Sequence, residues 1–357
     1  MMNLRTEICS LFAIEYPIIQ AGMAGGITTP ELVAAVSNAG GLGTLGAGYL
    51  TPDATRDAIR KIRERTDRPF SVNLFRVKME KEDSRTTAVQ ENLMPIYEEL
   101  GISPSAEQPE VTDHYEKQFD ILIEEKVPVI STTFGVPTQN QVNRAHGQGL
   151  NLVTMVTTVK EAIKAEKVGV DAVVAQGGEA GGHRGTFEME NRRGANIGTL
   201  ALIPQVVDHV SIPVIAAGGI MDGRGLVAAR ALGADGIQLG TRFLNAVESS
   251  ADPAYKKALL DSDEESTEIT TAFSGRPARA IRNRFMEFLK LNEIEPLTYP
   301  IQNFITKEIR AAAKRQGKAG YMSLWSGQGN RLIKNGQTAD EIVKEIISEA
   351  KKTKSKL

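Results

Sequence analysis

The segment 176–185, QGGEAGGHRG, follows a short apolar run and contains His183. An imidazole titrates near neutral pH, which suits it to moving a proton or to hydrogen-bonding an anion. Its glycine neighbours leave the backbone free to aim it. The three other histidines, His114, His146 and His209, lie in stretches read as helical, where a solvated or packed ring is ordinary. None stands at ligand spacing from a second histidine or from Cys9, the only cysteine. A metal site and an internal disulfide are therefore not expected. No GxSxG elbow is present, so acyl transfer lacks its nucleophile motif. GLGTLG at 41–46 matches the dinucleotide fingerprint GxGxxG letter for letter. That fingerprint follows a strand and opens a helix, whereas this one follows a helix and reads as a strand itself, so the match is rejected.

Two further segments speak of anion chemistry. PVIAAGGI at 213–220 and DGIQLGTRF at 235–243 each end an apolar run in glycine. In parallel barrels the loops after the last two strands, with a helix N-terminus, present backbone N–H groups to phosphate. A phosphorylated ligand is expected there.

The elements that must position these residues come as eight short apolar runs, at 16–21, 41–46, 70–75, 128–133, 151–156, 171–176, 213–217 and 235–239. They are continuous rather than alternating, as strands buried on both faces must be. Helical stretches separate them. Thr29-Pro30 and Thr51-Pro52 read as N-caps followed by proline, Thr158 with Glu161 as a capping box, and Asp222 as a further N-cap. The fold class expected is α/β, a closed (β/α)8 TIM barrel with a smaller, mostly helical cap domain. The active site of such a barrel lies at the C-terminal strand ends. There the sequence places Gly22-Met23-Ala24, Gly46-Ala47-Gly48, Asn73, Thr133, Gln176 to Gly185, Gly218-Gly219 and Gly240-Thr241. Small residues at so many strand ends suit a flat ligand pressed against backbone. The barrel is expected over 1–245, interrupted by a charged rim insertion at 77–118 with helix near 86–101. A helical cap domain is expected over 246–320, and 321–357 returns to the barrel, with an amphipathic helix at 337–350 and a frayed tail.

Composition removes other classes of function. The chain has 357 residues, 41% hydrophobic and 24% charged, with a formal net charge of −2, so no strong field recruits nucleic acid or a membrane surface. Aromatics at 5% argue against a base-stacking platform. No apolar run approaches the roughly 20 residues of a membrane span. The opening residues, interrupted by Arg5, Glu7 and Glu15, lack the core of a signal peptide. A cytoplasmic protein is expected, acting on a small molecule, with nothing that fixes its oligomeric state.

Taken together, YPIIQAGMAGG (16–26), AVSNAGGLGTLGAG (35–48), FSVNLF (70–75), DAVVAQGGEAGGHRG (171–185), SIPVIAAGGIMDGRG (211–225) and ADGIQLGTRF (234–243) resemble the nitronate monooxygenase family, formerly called 2-nitropropane dioxygenases. The resemblance spans most of the barrel in order. It implies non-covalent FMN, with Gly22, Met23 and Ala24 beneath the ring system, Asn73, Gln176 and Gly181 around it, and Gly218, Gly219, Gln238, Gly240 and Thr241 at the phosphate end. It puts His183 at the catalytic position and suggests that Trp325, Ser326 and Gln328, in YMSLWSGQG (321–329), line a substrate pocket. The implied reaction is oxidation of an alkyl nitronate, such as propionate 3-nitronate, by the flavin and O2 to a carbonyl compound and nitrite. His183 would orient the nitro oxygens or remove a proton from a neutral nitroalkane. The insertion at 77–118 departs from shorter members and bears on the shape of the substrate entrance.

An FMN-dependent enoyl-ACP reductase using NAD(P)H shares the expected fold, cofactor and histidine. WSGQ and the Arg276–Arg284 region favour the monooxygenase. A barrel of the inosine-monophosphate dehydrogenase type needs a loop cysteine as nucleophile, and Cys9 precedes the first strand. A non-catalytic barrel that senses a phosphorylated metabolite would not require His183.

Overall fold

The structure, a computed structural model, describes residues 4–77, 79–80, 82–104, 112–189 and 194–356. Each of the eight expected runs is a strand, with boundaries within two residues of those read from the sequence. They are β1 (Ile18–Gln20), β2 (Gly43–Gly46), β3 (Phe70–Phe75), β4 (Val129–Thr133), β5 (Asn151–Val156), β6 (Ala172–Gln176), β8 (Val214–Ala217) and β9 (Gly236–Leu239), with a two-residue strand β7 (Gly182–His183) between β6 and β8. All eight barrel strands pair in parallel in the order β1-β9-β8-β6-β5-β4-β3-β2. A parallel bridge between Ile19 and Leu42 joins the two ends, with Gln20 N–H donating to Leu42 O at 2.9 Å. This closes the ring. Their residues are nearly all buried, which is why they read as unbroken apolar runs.

The capping signals act as expected, with one exception. Thr29, Thr51 and Asp222 accept from Leu32, Ala54 and Arg224 N–H. Thr158 accepts from Glu161 N–H, but the Glu161 carboxylate does not return the bond. It accepts instead from Thr157 N–H and Oγ1 and from Phe187 N–H, tying β5's end to the loop after β7. GLGTLG is a strand whose glycines are packing glycines. A Cβ on Gly43 would lie 2.0 Å from Val33 O, and one on Gly46 would lie 2.5 Å from Ala24 N.

The helix Glu7–Leu11 lies before β1. Ile8, Cys9, Phe12 and Ile14 cluster with Ile19, Leu42, Val129, Val153, Ala172 and Ile215, so this segment stoppers the N-terminal end of the ring. The C-terminal helix, Ala339–Lys354, starts with a closed capping box at Thr338 and Glu341. It buries Ile342, Val343, Ile346 and Ile347 in the same core as the barrel's outer helices. The tail expected to fray is helical through Lys354, and Leu357 lies outside the described residues.

A second apolar cluster stands apart from the barrel's. It joins Val89, Leu93, Ile96 and Tyr97 to Leu259, Phe273, Phe285, Ile301, Ile309 and Leu324. Two features here differ from the sequence reading. ARAI, read as helical, is β11 (Ala278–Ile281), which pairs antiparallel with β10 (Thr267–Thr270) on one side and with β7 on the other. Its partner at 182–183 is remote in sequence, beyond any local window. The insertion splits: helices Thr86–Asn92 and Met94–Leu100 pack on this second cluster, with Tyr97 Oη donating to Ile305 O at 2.8 Å. Tyr115–Glu124 is the helix between β3 and β4, so 115–118 belong to the barrel. Residues 78, 81 and 105–111 of the insertion lie outside the described residues. None of the described helices is long and apolar enough to cross a membrane.

Candidate active site

The C-terminal strand ends enclose a cleft lined mostly by small and apolar residues, as small-molecule and cofactor sites are. Gly22, Met23, Ala24, Asn73, Gln176, Gly181, Gly218, Gly219, Gln238, Gly240, Thr241 and His183 all line it, and so does Trp325. Ser326 and Gln328 do not. Ser326 is fully buried, its hydroxyl directed at Gly327 O. The Gln328 N–H donates to Glu179 O at 3.0 Å, which pins its backbone to the loop and leaves the residue exposed. Gly327 takes the place expected for them. Its N–H donates to Thr241 Oγ1 at 2.9 Å, and a Cβ on Gly181 would lie 2.5 Å from its nitrogen.

His183 is aimed by a sheet as well as by the left-handed Gly182 (φ 73°) that precedes it. It pairs with Ala278 of β11, its carbonyl accepts from Gln176 Nε2 at 3.0 Å, and Gln176 Oε1 accepts from Gly185 N–H at 2.9 Å. The same β11 edge bridges to Trp325 through Ala280. One strand thus fixes both rings, 5.3 Å apart between centroids. The loop carrying His183 is clamped from below by Arg184, a fully buried side chain whose Nε, Nη1 and Nη2 donate to the carbonyls of Ala195, Gly177 and Gln176. Burial and the nearby Arg279 hold its pKa down to about 10.

Ser274 sets the imidazole's hydrogen bonding. Its Oγ lies 2.8 Å from His183 Nε2 and accepts from Arg276 N–H at 3.3 Å. The hydroxyl also lies 3.2 Å from Arg276 O, a pure acceptor; with its proton on that carbonyl, Nε2–H donates to Ser274 Oγ, and with its proton on Nε2 the ring's own proton sits on Nδ1. Burial foremost, then the charges of Arg276 and Arg310, depress the imidazole's pKa to about 3. The ring is therefore neutral through the working pH range. The folded value lies below that of free imidazole, so the ring's contribution to stability is present at neutral pH and is lost as pH falls from 6.5 toward about 3. Ser274→Ala is expected to lower turnover about five-fold, the equivalent of one hydrogen bond of roughly 1 kcal/mol. Unchanged kcat and an unchanged pH profile would show that this hydroxyl does not orient the ring.

An aromatic wall surrounds the imidazole: Phe134 and Phe75 lie 5.8 and 6.3 Å away, Tyr49 packs edge-on to Phe75, and Tyr299 meets Phe134. Phe134 follows Thr133, Tyr49 follows Gly48 and Phe75 ends the run 70–75, so each adjoins a strand end read from the sequence. Tyr299 and Arg310 come from segments remote in sequence and carried no such signal. The other histidines lie away from the cleft. His146 ends the helix Gln139–His146, while His114 and His209 flank helices Tyr115–Glu124 and Thr199–Val207 instead of lying inside them.

At the opposite end the loops after β8 and β9, where a phosphate was expected, both reach the cleft. The N-terminus of the helix Thr199–Val207 is taken by the protein itself: Glu179 accepts from Thr199 N–H and Oγ1 at 2.8–3.0 Å. What stays available is the strap of Gly218 and Gly219, both left-handed (φ 114° and 68°), facing Gly240. Among the described residues no protein acceptor approaches the N–H groups of Gly219 and Gly240. No lysine or arginine lines the cleft, so an anion there would rest on backbone donors. Among the described residues no group of three or more His, Cys, Asp or Glu could hold a metal ion.

With this geometry in hand, comparison with known proteins is specific. The family model described as nitronate monooxygenase matches residues 5–349. A probable nitronate monooxygenase of Staphylococcus saprophyticus is 44% identical over 356 residues, covering 98% of each chain. Among solved structures, a nitroalkane oxidase from Streptomyces ansochromogenes superposes with a TM-score of 0.91 at 39% identity, covering 98% of this chain and 99% of that one. FabK from Thermotoga maritima superposes less closely, at 0.78 and 33% identity over 99% and 98% of the two chains.

Proposed function

The chain belongs to the nitronate monooxygenase family and is an oxidoreductase, and on that premise we propose that it binds FMN and oxidises alkyl nitronates with O2 to a carbonyl compound and nitrite. The observation that supports this reading most is the meeting of eleven residues expected to cradle a flavin, all but Met23 small or amide, around the one cleft that His183 also lines.

The residues present fit the cofactor. Gly22 to Ala24 lie flat against the end of β2, where a Cβ on Gly46 would strike the backbone of Met23 and Ala24. They offer a floor for a planar ring, with Asn73 and Gln176 beside it. Gly218, Gly219, Gly240 and Thr241 form the anion cradle, with Gln238 beneath them. FMN when bound supplies the electron acceptor that the protein's side chains lack. The chain contributes placement. His183 and Trp325 cover the open face, and the aromatic wall excludes water. A neutral imidazole with so low a pKa is a weak base, so it suits a nitronate that arrives already deprotonated, holding its oxygens by hydrogen bonds. The domain division we propose gives the cofactor to residues 1–245 and the substrate side to a cap of 246–320, with 321–357 returning to the barrel.

The purified protein is expected to be yellow and to release FMN on denaturation. Anaerobic addition of propionate 3-nitronate should bleach it. Bleaching by NADPH alone would instead support the enoyl-ACP reductase reading, and a folded, colourless protein that takes up no FMN would leave only a phosphometabolite-binding barrel. With preformed nitronate, no inflection from His183 is expected between about pH 5 and 9. An inflection near 6.5 that vanishes in His183→Asn would show that the ring titrates during turnover.

A further inference from the structure

The helix Thr199–Val207 has no side chain of its own at its start, since its N-cap is Gly198. The cap comes from Glu179, 20 residues earlier. Both carboxylate oxygens accept from Thr199 N–H, at 3.0 and 2.9 Å, and Oε2 also lies 2.8 Å from Thr199 Oγ1. The Thr199 hydroxyl reaches the other way as well. It lies 3.0 Å from Gly218 O, so it stands between the carboxylate and the first residue of the left-handed Gly218–Gly219 strap, its one proton serving one acceptor at a time.

This tie is closely built. A Cβ on Gly218 would lie 2.8 Å from Thr199 Oγ1. One on Gly177 would strike Thr199 Oγ1 and lie 2.7 Å from Glu179 Oε2. Glycine therefore stands on both sides of the carboxylate–hydroxyl pair, as close approach of backbone requires. Gly177 N–H also donates to Ala217 O at 2.8 Å, directly before the strap.

The strap has reason to be held. Two consecutive left-handed glycines are the freest backbone a chain can offer. Gly219 N–H meets no protein acceptor among the described residues, and no lysine or arginine lines the cleft. Anion affinity there depends on how well backbone donors are aimed before the anion arrives. Glu179, Gly218 and Gly219 all line the cleft, whereas Thr199 does not and can act only through them.

We propose that Glu179 and Thr199 are positioning residues for the cofactor's phosphate: the carboxylate fixes Thr199, the hydroxyl fixes Gly218 O, and Gly219 N–H is thereby held ready for the anion. The inference rests on the FMN reading above. It assigns the helix end to holding the strap and leaves the phosphate to backbone donors. A carboxylate that merely kept the anion's place at the helix end, and gave way to it, would have effects of the opposite sign.

The test compares two flavins that share a ring system and differ in the phosphate. Holoprotein is prepared with FMN or with riboflavin, and the dissociation constant of each is read from flavin fluorescence on dilution. The unsubstituted protein should prefer FMN. Glu179→Ala should weaken FMN about ten-fold, the scale of one hydrogen bond to a charged group, and leave riboflavin nearly unchanged. Thr199→Val keeps the shape and the backbone N–H but removes the hydroxyl, and should lower the preference in the same direction. Glu179→Gln and Thr199→Ser keep an acceptor and a hydroxyl, and should retain most of it. An equal loss for both flavins would show a merely structural role and overturn the proposal. So would tighter FMN binding in Glu179→Ala, which would make the carboxylate a competitor of the phosphate. An FMN preference untouched by Glu179→Ala and Thr199→Val would sink the tie and leave the cofactor reading intact. Unsubstituted protein that takes up neither flavin would sink the cofactor reading and the tie with it.

Discussion

His183→Asn is expected to retain bound FMN and lose about 10²–10³-fold in kcat with a nitronate, the loss typical of removing one preorganised hydrogen-bond donor from a reacting oxyanion. The retention follows from where the ring sits. It enters the cleft from β7, which pairs with β11, while most of the cofactor candidates line it from the ends of β1, β3, β8 and β9. Asparagine keeps a donor at shorter reach but cannot meet Ser274 Oγ at the distance that Nε2 does, 2.8 Å. Steady-state rates and the flavin-to-protein ratio check both halves. Unchanged turnover would remove the imidazole from the chemistry. Loss of flavin with the ring would make His183 part of the cradle.

The largest stability effect is expected from Arg184→Met. This side chain is fully buried and its three donors satisfy the carbonyls of Gln176, Gly177 and Ala195. Methionine has a comparable apolar stem, so packing is roughly kept while three carbonyls lose a donor, Gly177 O alone keeping a second one in Ala180 N–H at 3.1 Å. Each orphaned group costs about 1–3 kcal/mol, so a total loss of about 3–5 kcal/mol is expected. Denaturant unfolding measures it. The loop between β6 and β7 should also loosen, so flavin affinity should fall even where the protein remains folded. A loss under 1 kcal/mol would mean that the loop is held by its β11 pairing alone.

The barrel was legible because its signals are local. A strand buried on both faces is a continuous apolar run, and a cap such as Thr29-Pro30 announces the helix after it. The glycines of the floor were legible as strand-end residues, and His183 as the histidine outside helical stretches. What was not legible depends on contacts between distant segments. β11 reads as a helix start until Gly182 and His183 lie beside it. Arg276 and Arg310 bear on the imidazole, and Tyr299 meets Phe134, from segments far from 183 in the sequence. Ser326 and Gln328 were expected in the pocket from their place in a motif, but the motif's contact with the cleft runs through Trp325, Gly327 and Gly329. Glu179 accepts at the N-terminus of the helix Thr199–Val207, 20 residues on, a contact that no local signal announces.

The short helix Glu7–Leu11 and the turn after it fill the lower end of the ring with Ile8, Phe12 and Ile14. Among the described residues the ring is thus shut at this end, and whatever arrives or departs does so past the C-terminal strand ends. A molecule lodged there would block reactant and product alike, so the slowest departure sets the pace for the next arrival.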